Sequence, residues 1–309
     1  MRLLTAVARF VSFKKDQGFR YECTSMFLHS FARAMGNCFV NELTPSRIAA
    51  FLNSSEIATH TRYCRYHMLS VFFRFLRQTN KLKRWPMPTR PAHPRMAYVP
   101  FIYSRAEIRR IIDQNYSKCF SRRTLIAPET FRVIVVFLYG TGVSLGEALT
   151  LQWNRVDFGR QTIEVCIREG GKTRTIPIGH DVCKLLRRYL ASGFRSPRKE
   201  GYVFATRTGA AVNGWSLRKN FRCLCLAANV TRPGERQSEP RLQDLRYTFA
   251  VHRIESWYRT GADIEKVLPA LAMYMGRVGL GSTERLMSLT PEHFRDHRFP
   301  EGRKILPAL

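Results

Sequence analysis

Residues 241–291, RLQDLRYTFAVHRIESWYRTGADIEKVLPALAMYMGRVGLGSTERLMSLTP, hold the side chain best placed for chemistry in this chain. Arg246 sits inside an apolar helix start formed by Leu242, Leu245 and Phe249. A guanidinium in such a frame costs free energy unless an anion or a paired carboxylate receives it. Its chemistry is therefore anion recognition, and the rest of the sequence must say which anion. A second group of arginines points the same way. Residues 57–79 have helical periodicity, with Tyr63, Tyr66, Leu69, Phe72, Phe73 and Leu76 on one apolar face. Arg62, Arg65, Arg74 and Arg77 fall largely off that face. Any one of them reads as solvated surface; together with the net charge they mark a phosphate-facing side.

That charge is large. The 309 residues carry 51 Lys and Arg against 23 Asp and Glu, a formal net charge of +28. With 45% hydrophobic residues the chain builds a real core, so it is no disordered basic tail, and its length suits two ordinary domains. A core-forming protein this basic is built for a polyanion, and nucleic acid is the first candidate. A membrane surface is the weaker candidate, because the basic residues recur along the whole chain and are not gathered on one amphipathic helix. The longest apolar run, Val133–Tyr139, is far short of a membrane span. Arg9 interrupts the apolar N-terminus MRLLTAVARFVSFKK, which reads as a helix and not as a signal peptide. Eight cysteines without a C-x-x-C pair, and no clustered histidines, read as free buried thiols of a reducing cytosol. No metal and no cofactor are expected, and the location expected is cytoplasmic, at the nucleoid.

The elements that must position these groups fall into two parts. Residues 1–82 read as helical throughout, with Thr44-Pro45 as a helix start. Residues 83–102 form a basic, proline-rich linker; KRWPMPTRPAHPRMAYVP holds five prolines and four Lys or Arg. Residues 103–309 form the second domain. In it Ser104 caps a helix over 107–112, and an apolar helix over 128–139 stops at Gly140-Thr141-Gly142. A helix over 145–153 follows, then strands at 162–167 and 173–178 around a Gly170-Gly171 turn. Next come a helix over 181–190, a short strand at 202–205, a helix over 215–228, a polar loop at 231–240, and two or three further helices.

The order of these parts, with GTGVSLGEALTLQW, a hairpin ending KTRTIPI, LQDLRYTFA and YMGRVGLGSTERLMSLTPE, resembles the tyrosine recombinase (phage integrase) family over essentially the whole chain. The matching positions include Gly140-Thr141-Gly142, Glu147, Leu149, Arg174, Pro177, Asp244-Leu245-Arg246, Thr248-Phe249, Gly276, Thr283 and Thr290-Pro291. The resemblance implies a mostly α fold with a small β-sheet insert: a helical, SAM-like core-binding domain followed by a catalytic-type domain. It also implies a tyrosine that attacks the scissile phosphate, two arginines that clamp its non-bridging oxygens, a hairpin lysine that protonates the leaving oxygen, and histidines that move protons.

Most of these slots are filled by something else. The first arginine slot is Ser144, and the lysine slot, eight residues before Pro177, is Glu169. A shifted hairpin register brings in Lys172. The histidine slots are Gln243 and Arg277, the nucleophile slot is Leu286, and only the second arginine is kept, as Arg246. A leucine cannot attack phosphorus. The resemblance therefore implies a degenerate member that grips DNA through Arg62, Arg65, Arg74, Arg77, Lys172, Arg174, Arg246 and Arg277 without cutting it. Its partners would be double-stranded DNA and an active recombinase, or further copies of itself on DNA. The internal reading of Arg246 is a salt bridge to Glu147. Two other readings stand beside this one: an active recombinase with relocated residues, drawing on Tyr247, Tyr258, Tyr274, Ser282 or Ser288, and an architectural or transcriptional DNA binder.

Overall fold

A computed structural model describes residues 1–19, 21–54, 57–92, 99–119, 125–166, 173–192, 201–231 and 239–276. The chain divides into two compact units whose main boundary falls between Ala97 and Tyr98. It is mostly α-helical with one small sheet.

The first unit holds helices α1 (Leu3–Asp16), α2 (Glu22–Ala34), α3 (Pro45–Asn53) and α4 (Thr59–Gln78). Apolar residues at helical spacing give each helix one buried face, and these faces close on a common core. Leu3, Val7 and Phe10 of α1 meet Leu28 and Phe31 of α2 and Leu69, Phe72, Phe73 and Leu76 of α4. The ring of Phe10 lies edge-on to that of Phe72, with centroids 5.5 Å apart. Thr44 caps α3 by accepting the Arg47 N–H at 3.4 Å, and Pro45 fills the first helical position. The start of the segment read as a linker belongs to this core. Met87 is buried in it beside Leu82, the Tyr66 hydroxyl donates to the Pro88 carbonyl at 3.1 Å, and the Arg90 guanidinium lies over the Tyr63 ring. Prolines suppress helix here, but the apolar side chains between them still find a core.

In the second unit, α5 (Arg105–Ile112) begins with a reciprocal cap. The Glu107 N–H donates to Ser104 Oγ at 3.2 Å, and the Ser104 N–H donates to Glu107 Oε2 at 2.7 Å. The central element is α6 (Pro128–Thr141), apolar on nearly all sides and buried accordingly through Phe131, Ile134, Phe137 and Leu138. Around it lie α7 (Leu145–Thr150), α8 (His180–Ala191), α9 (Gly214–Ala227), α10 (Asp244–Arg259) and α11 (Ile264–Tyr274). Strands β1 (Val156–Asp157), β2 (Thr162–Cys166) and β3 (Thr173–Pro177) form an antiparallel sheet in that order. Pro177 ends the edge strand, where its missing N–H breaks no ladder.

Three local expectations give way. Helix α7 stops at Thr150, short of Trp153, because residues 201–203 take the backbone groups that follow. The Val203 N–H donates to Leu151 O at 2.8 Å, and the Trp153 N–H donates to Gly201 O at 3.1 Å. For the same reason 202–205 is no strand. It makes two isolated bridges, Gln152 with Tyr202 and Ala205 with Ala211, while its apolar side chains fill the core. The cysteines are not all buried either: Cys183 and Cys225 are, but Cys23 and Cys223 are exposed.

Helix α6 ends on Gly142 at φ +61, and a Cβ there would lie 2.2 Å from Cδ1 of Phe249 on α10. That closeness brings α10 to its place. Gly142→Ala combines left-handed strain with a clash against a buried ring, and is expected to cost about 2–4 kcal/mol. Gly261 has a similar φ of +69 but open space around it, so Gly261→Ala is expected to cost only about 1 kcal/mol. Urea denaturation of both variants checks the difference; equal costs would mean that the close packing of α10 on α6 contributes nothing.

Candidate functional site

Glu147, the fourth residue of the S-L-G-E run that starts α7, gathers the site. Ser144 is the N-cap of α7, and Glu147 closes the reciprocal cap. The Glu147 N–H donates to Ser144 Oγ at 3.3 Å, and the Ser144 N–H donates to Glu147 Oε2 at 2.7 Å. This cap turns the carboxylate inward, where its side chain is only 8% exposed. Two guanidiniums meet it there. Arg174 comes from β3 and donates through Nη1 to Glu147 Oε1. Arg246 comes from the first turn of α10 and donates through Nη1 to Oε2 at 3.3 Å.

Both arginines also reach the C-terminal end of α11. Arg174 Nε donates to the Tyr274 carbonyl at 3.1 Å, and Arg246 Nη2 donates to the Met275 carbonyl. Carbonyls in the last turn of a helix lack partners within it and carry its negative dipole end, so cations suit them. Gly276 then turns the chain at φ +63 directly against Arg174, with a built Cβ only 2.5 Å from Nη1. The two arginines, at 14% and 12% side-chain exposure, thus share one carboxylate and one helix end.

The electrostatics follow from this arrangement. Burial by itself pushes the Glu147 carboxyl up, but the Arg174 hydrogen bond and the Ser144 backbone and side-chain bonds outweigh it, leaving the pKa below its ordinary 4.5. Arg174 Nη2 is buried and finds no acceptor among the described residues.

The candidates named from the sequence are placed as follows. Ser144 uses its hydroxyl to cap α7. Gln243 is exposed at the start of α10 and makes no cap bond from its side chain. Glu169, Lys172, Arg277 and Leu286, with Ser282 and Ser288, lie outside the described residues. On α4 of the first unit, Arg74 and Arg77 are exposed and Arg62 and Arg65 half-buried, Arg65 over the Phe27 ring at 5.7 Å. Among the tyrosines weighed as nucleophiles, Tyr274 stacks on Phe249 and donates its hydroxyl to the Pro177 carbonyl at 3.2 Å. Burial pushes its pKa up to about 12, opposite to what a nucleophile at neutral pH needs. Tyr247 packs against the small core formed by α10 and α11, and Tyr258 is exposed near the end of α10.

Sequence reasoning missed a polar contact on the inner face of α10. The Tyr139 hydroxyl and His252 Nδ1 are 3.0 Å apart, and burial holds the imidazole below its ordinary pKa. Only the helical register of His252 with Thr248 could have suggested it. Among the described residues no group of three or more His, Cys, Asp and Glu could hold a metal, and no helix is long and apolar enough to cross a membrane.

Removing Glu147 strands two buried guanidiniums. Glu147→Ala is expected to cost about 3–5 kcal/mol at pH 7. Because the folded carboxyl titrates below 4.5, its contribution is present above that value and is lost as the pH falls through the folded pKa. The gap between native and variant in urea denaturation should therefore hold steady above about pH 4.5 and narrow as the pH falls below it. A gap that is small at pH 7, or constant with pH, would contradict the pairing.

Comparison with known proteins places this geometry. Over 305 residues the chain is 26% identical to a Sinorhizobium fredii protein named as an integrase/recombinase, y4rB, covering 94% of each. It is 25% identical over 266 residues to the tyrosine recombinase XerC of Lacticaseibacillus casei, covering 83% of this chain and 81% of that one. A crystal structure of a lambda integrase dimer bound to a COC′ core site shares its fold, with a TM-score of 0.63 at 15% identity over 98% of this chain and 99% of that chain. The phage integrase family pattern matches residues 104–272, which hold Ser144, Glu147, Arg174 and Arg246 and make up more than half of the sequence. The chain therefore belongs to the phage integrase family of tyrosine recombinases, a family of DNA recombination.

Proposed function

We propose that this chain binds double-stranded DNA and holds a backbone phosphate at Arg246 without breaking it, acting as an accessory or regulatory subunit beside an active recombinase or further copies of itself. The setting would be an integrating or transposing element, in the cytoplasm at the nucleoid. Residues 1–82 would be the core-binding domain, 83–102 the linker and 103–309 the catalytic-type domain.

The observation that carries this reading is the make-up of the pocket around Arg246. Where a phosphate-activating arginine is expected, the chain has Ser144, whose hydroxyl caps a helix. Where a proton-transferring histidine is expected, it has Gln243, which has no proton to give at neutral pH. Leucine stands at position 286, in the nucleophile slot. Tyr274, one of the substitute nucleophiles weighed, is engaged with Pro177, and burial pushes its pKa up to about 12. What the pocket retains is suited to binding: a guanidinium presents five donors in a planar fork and needs no proton transfer to hold an oxyanion.

Support for DNA as the polyanion comes from the net charge of +28 and from the exposed arginines of α4. The lambda integrase and Tn1549 transposon integrase structures of the same fold are complexes with DNA, the former as a dimer. Lys172 and Arg277 would add phosphate contacts beside Arg246.

Salt titration of duplex binding tests this. Affinity should fall steeply with salt, by roughly one unit of log–log slope per phosphate contacted. Arg74→Gln combined with Arg77→Gln should reduce that slope by about 2 while leaving the fold intact. Binding that is flat in salt, or absent on any duplex, would overturn the reading.

A further inference from the structure

We infer that Arg174 has taken the phosphate-clamping place that Ser144 leaves open, presenting Nη2 to a non-bridging oxygen of the same backbone phosphodiester that Arg246 holds. The inference rests on the DNA-holding reading above and adds to it a second ligand for the phosphate, from a different element of the fold.

Arg174 has an incomplete set of bonds. The guanidinium of Arg174 is engaged on either side of Nη2, through Nη1 to Glu147 and Nε to the Tyr274 carbonyl at 3.1 Å. Nη2 itself is buried and has no acceptor among the described residues. Buried donors are almost always bonded, because leaving one unmade forfeits its hydration without return. Arg174 is also no stray surface cation: its neighbours fit it closely. The turn at Gly276 lies so near that a Cβ would come within 2.5 Å of Nη1 and 2.7 Å of Cζ, and the positive φ there admits glycine without strain. The surroundings thus fix the guanidinium while leaving one of its donors unused.

Position supplies the rest. Arg174 and Arg246 engage the two oxygens of one carboxylate and the carbonyls of two successive residues, Tyr274 and Met275. They form a matched pair of cations about Glu147, which is itself held by the Ser144 cap. A phosphodiester is a singly charged anion with two non-bridging oxygens, which is the chemistry two adjacent guanidiniums accept. Nη2 is closed to solvent in the free chain. A duplex arrives with the free energy of many other phosphate contacts, enough to open that cover.

The test uses the full chain and a duplex selected by it from a random-sequence pool. Each backbone phosphate is then replaced in turn by a neutral methylphosphonate, and affinity is measured for the native chain and for Arg174→Lys. Lysine keeps a cation for Glu147 but has no second nitrogen to present. For the native chain, at least one position should cost about tenfold. In Arg174→Lys that penalty should fall below about twofold, while penalties at the other positions persist. If Arg174→Lys does not fold, the double variant Arg174→Gln with Glu147→Gln, which removes both charges of the pair together, takes its place and should show the same local loss. An unchanged methylphosphonate profile in the folded variant overturns the inference and leaves the DNA-holding reading intact. Failure of the native chain to select any duplex overturns both.

Discussion

One carboxylate organises the second unit. Glu147 is buried, and a lone buried carboxylate would protonate or unfold the site. Two guanidiniums and the cap of its own helix keep it charged, and through it a strand and three helices are tied together. Helix α7 supplies Glu147 and Ser144, β3 supplies Arg174, α10 supplies Arg246, and the end of α11 receives both arginines. A buried triad of this kind contributes less to stability than to arrangement, because desolvation offsets most of its attraction. Its consequence is that Arg246 is held in one place, with the glycines at 142 and 276 clearing the space that α10 and Arg174 need.

The same constraint accounts for how closely the scaffold is held together. Ser144 serves well as an N-cap, one of the residue types helix starts favour. Glu147 then keeps two cations, since Arg174 stands with Arg246 on its two oxygens. Nothing in this network requires a nucleophile or a proton donor. The recombinase-type fold can therefore hold this network whatever the chain's chemistry, which is what the proposed phosphate-holding role requires.

What the sequence made legible was local. The caps at Thr44 and Ser104, the glycine stop at Gly142 and the apolar face of α4 are properties of a few neighbouring residues, and the structure has them. Less legible were features that depend on distant backbone. The two-residue strand β1 has no periodicity of its own and exists by pairing with β2. The end of α7 is set by residues some fifty positions later, which no propensity reports. The meeting of Arg174 with Glu147 and the bond between Tyr139 and His252 join residues on separate elements. The sequence also named Glu147 as an internal partner for Arg246, and the structure has that ion pair at 3.3 Å; that Arg174 would join it on Glu147 could not be read from spacing.

The central claim is that this pocket holds a DNA phosphate it cannot break, and covalent trapping tests it most directly. The full chain is incubated with nicked and 5′-bridging phosphorothiolate duplexes, whose cleavage is irreversible, and the products are run on denaturing gels. The account predicts shifted complexes on native gels and no protein–DNA band under denaturing conditions. A covalent band, mapped to any tyrosine or serine of this chain, would contradict it.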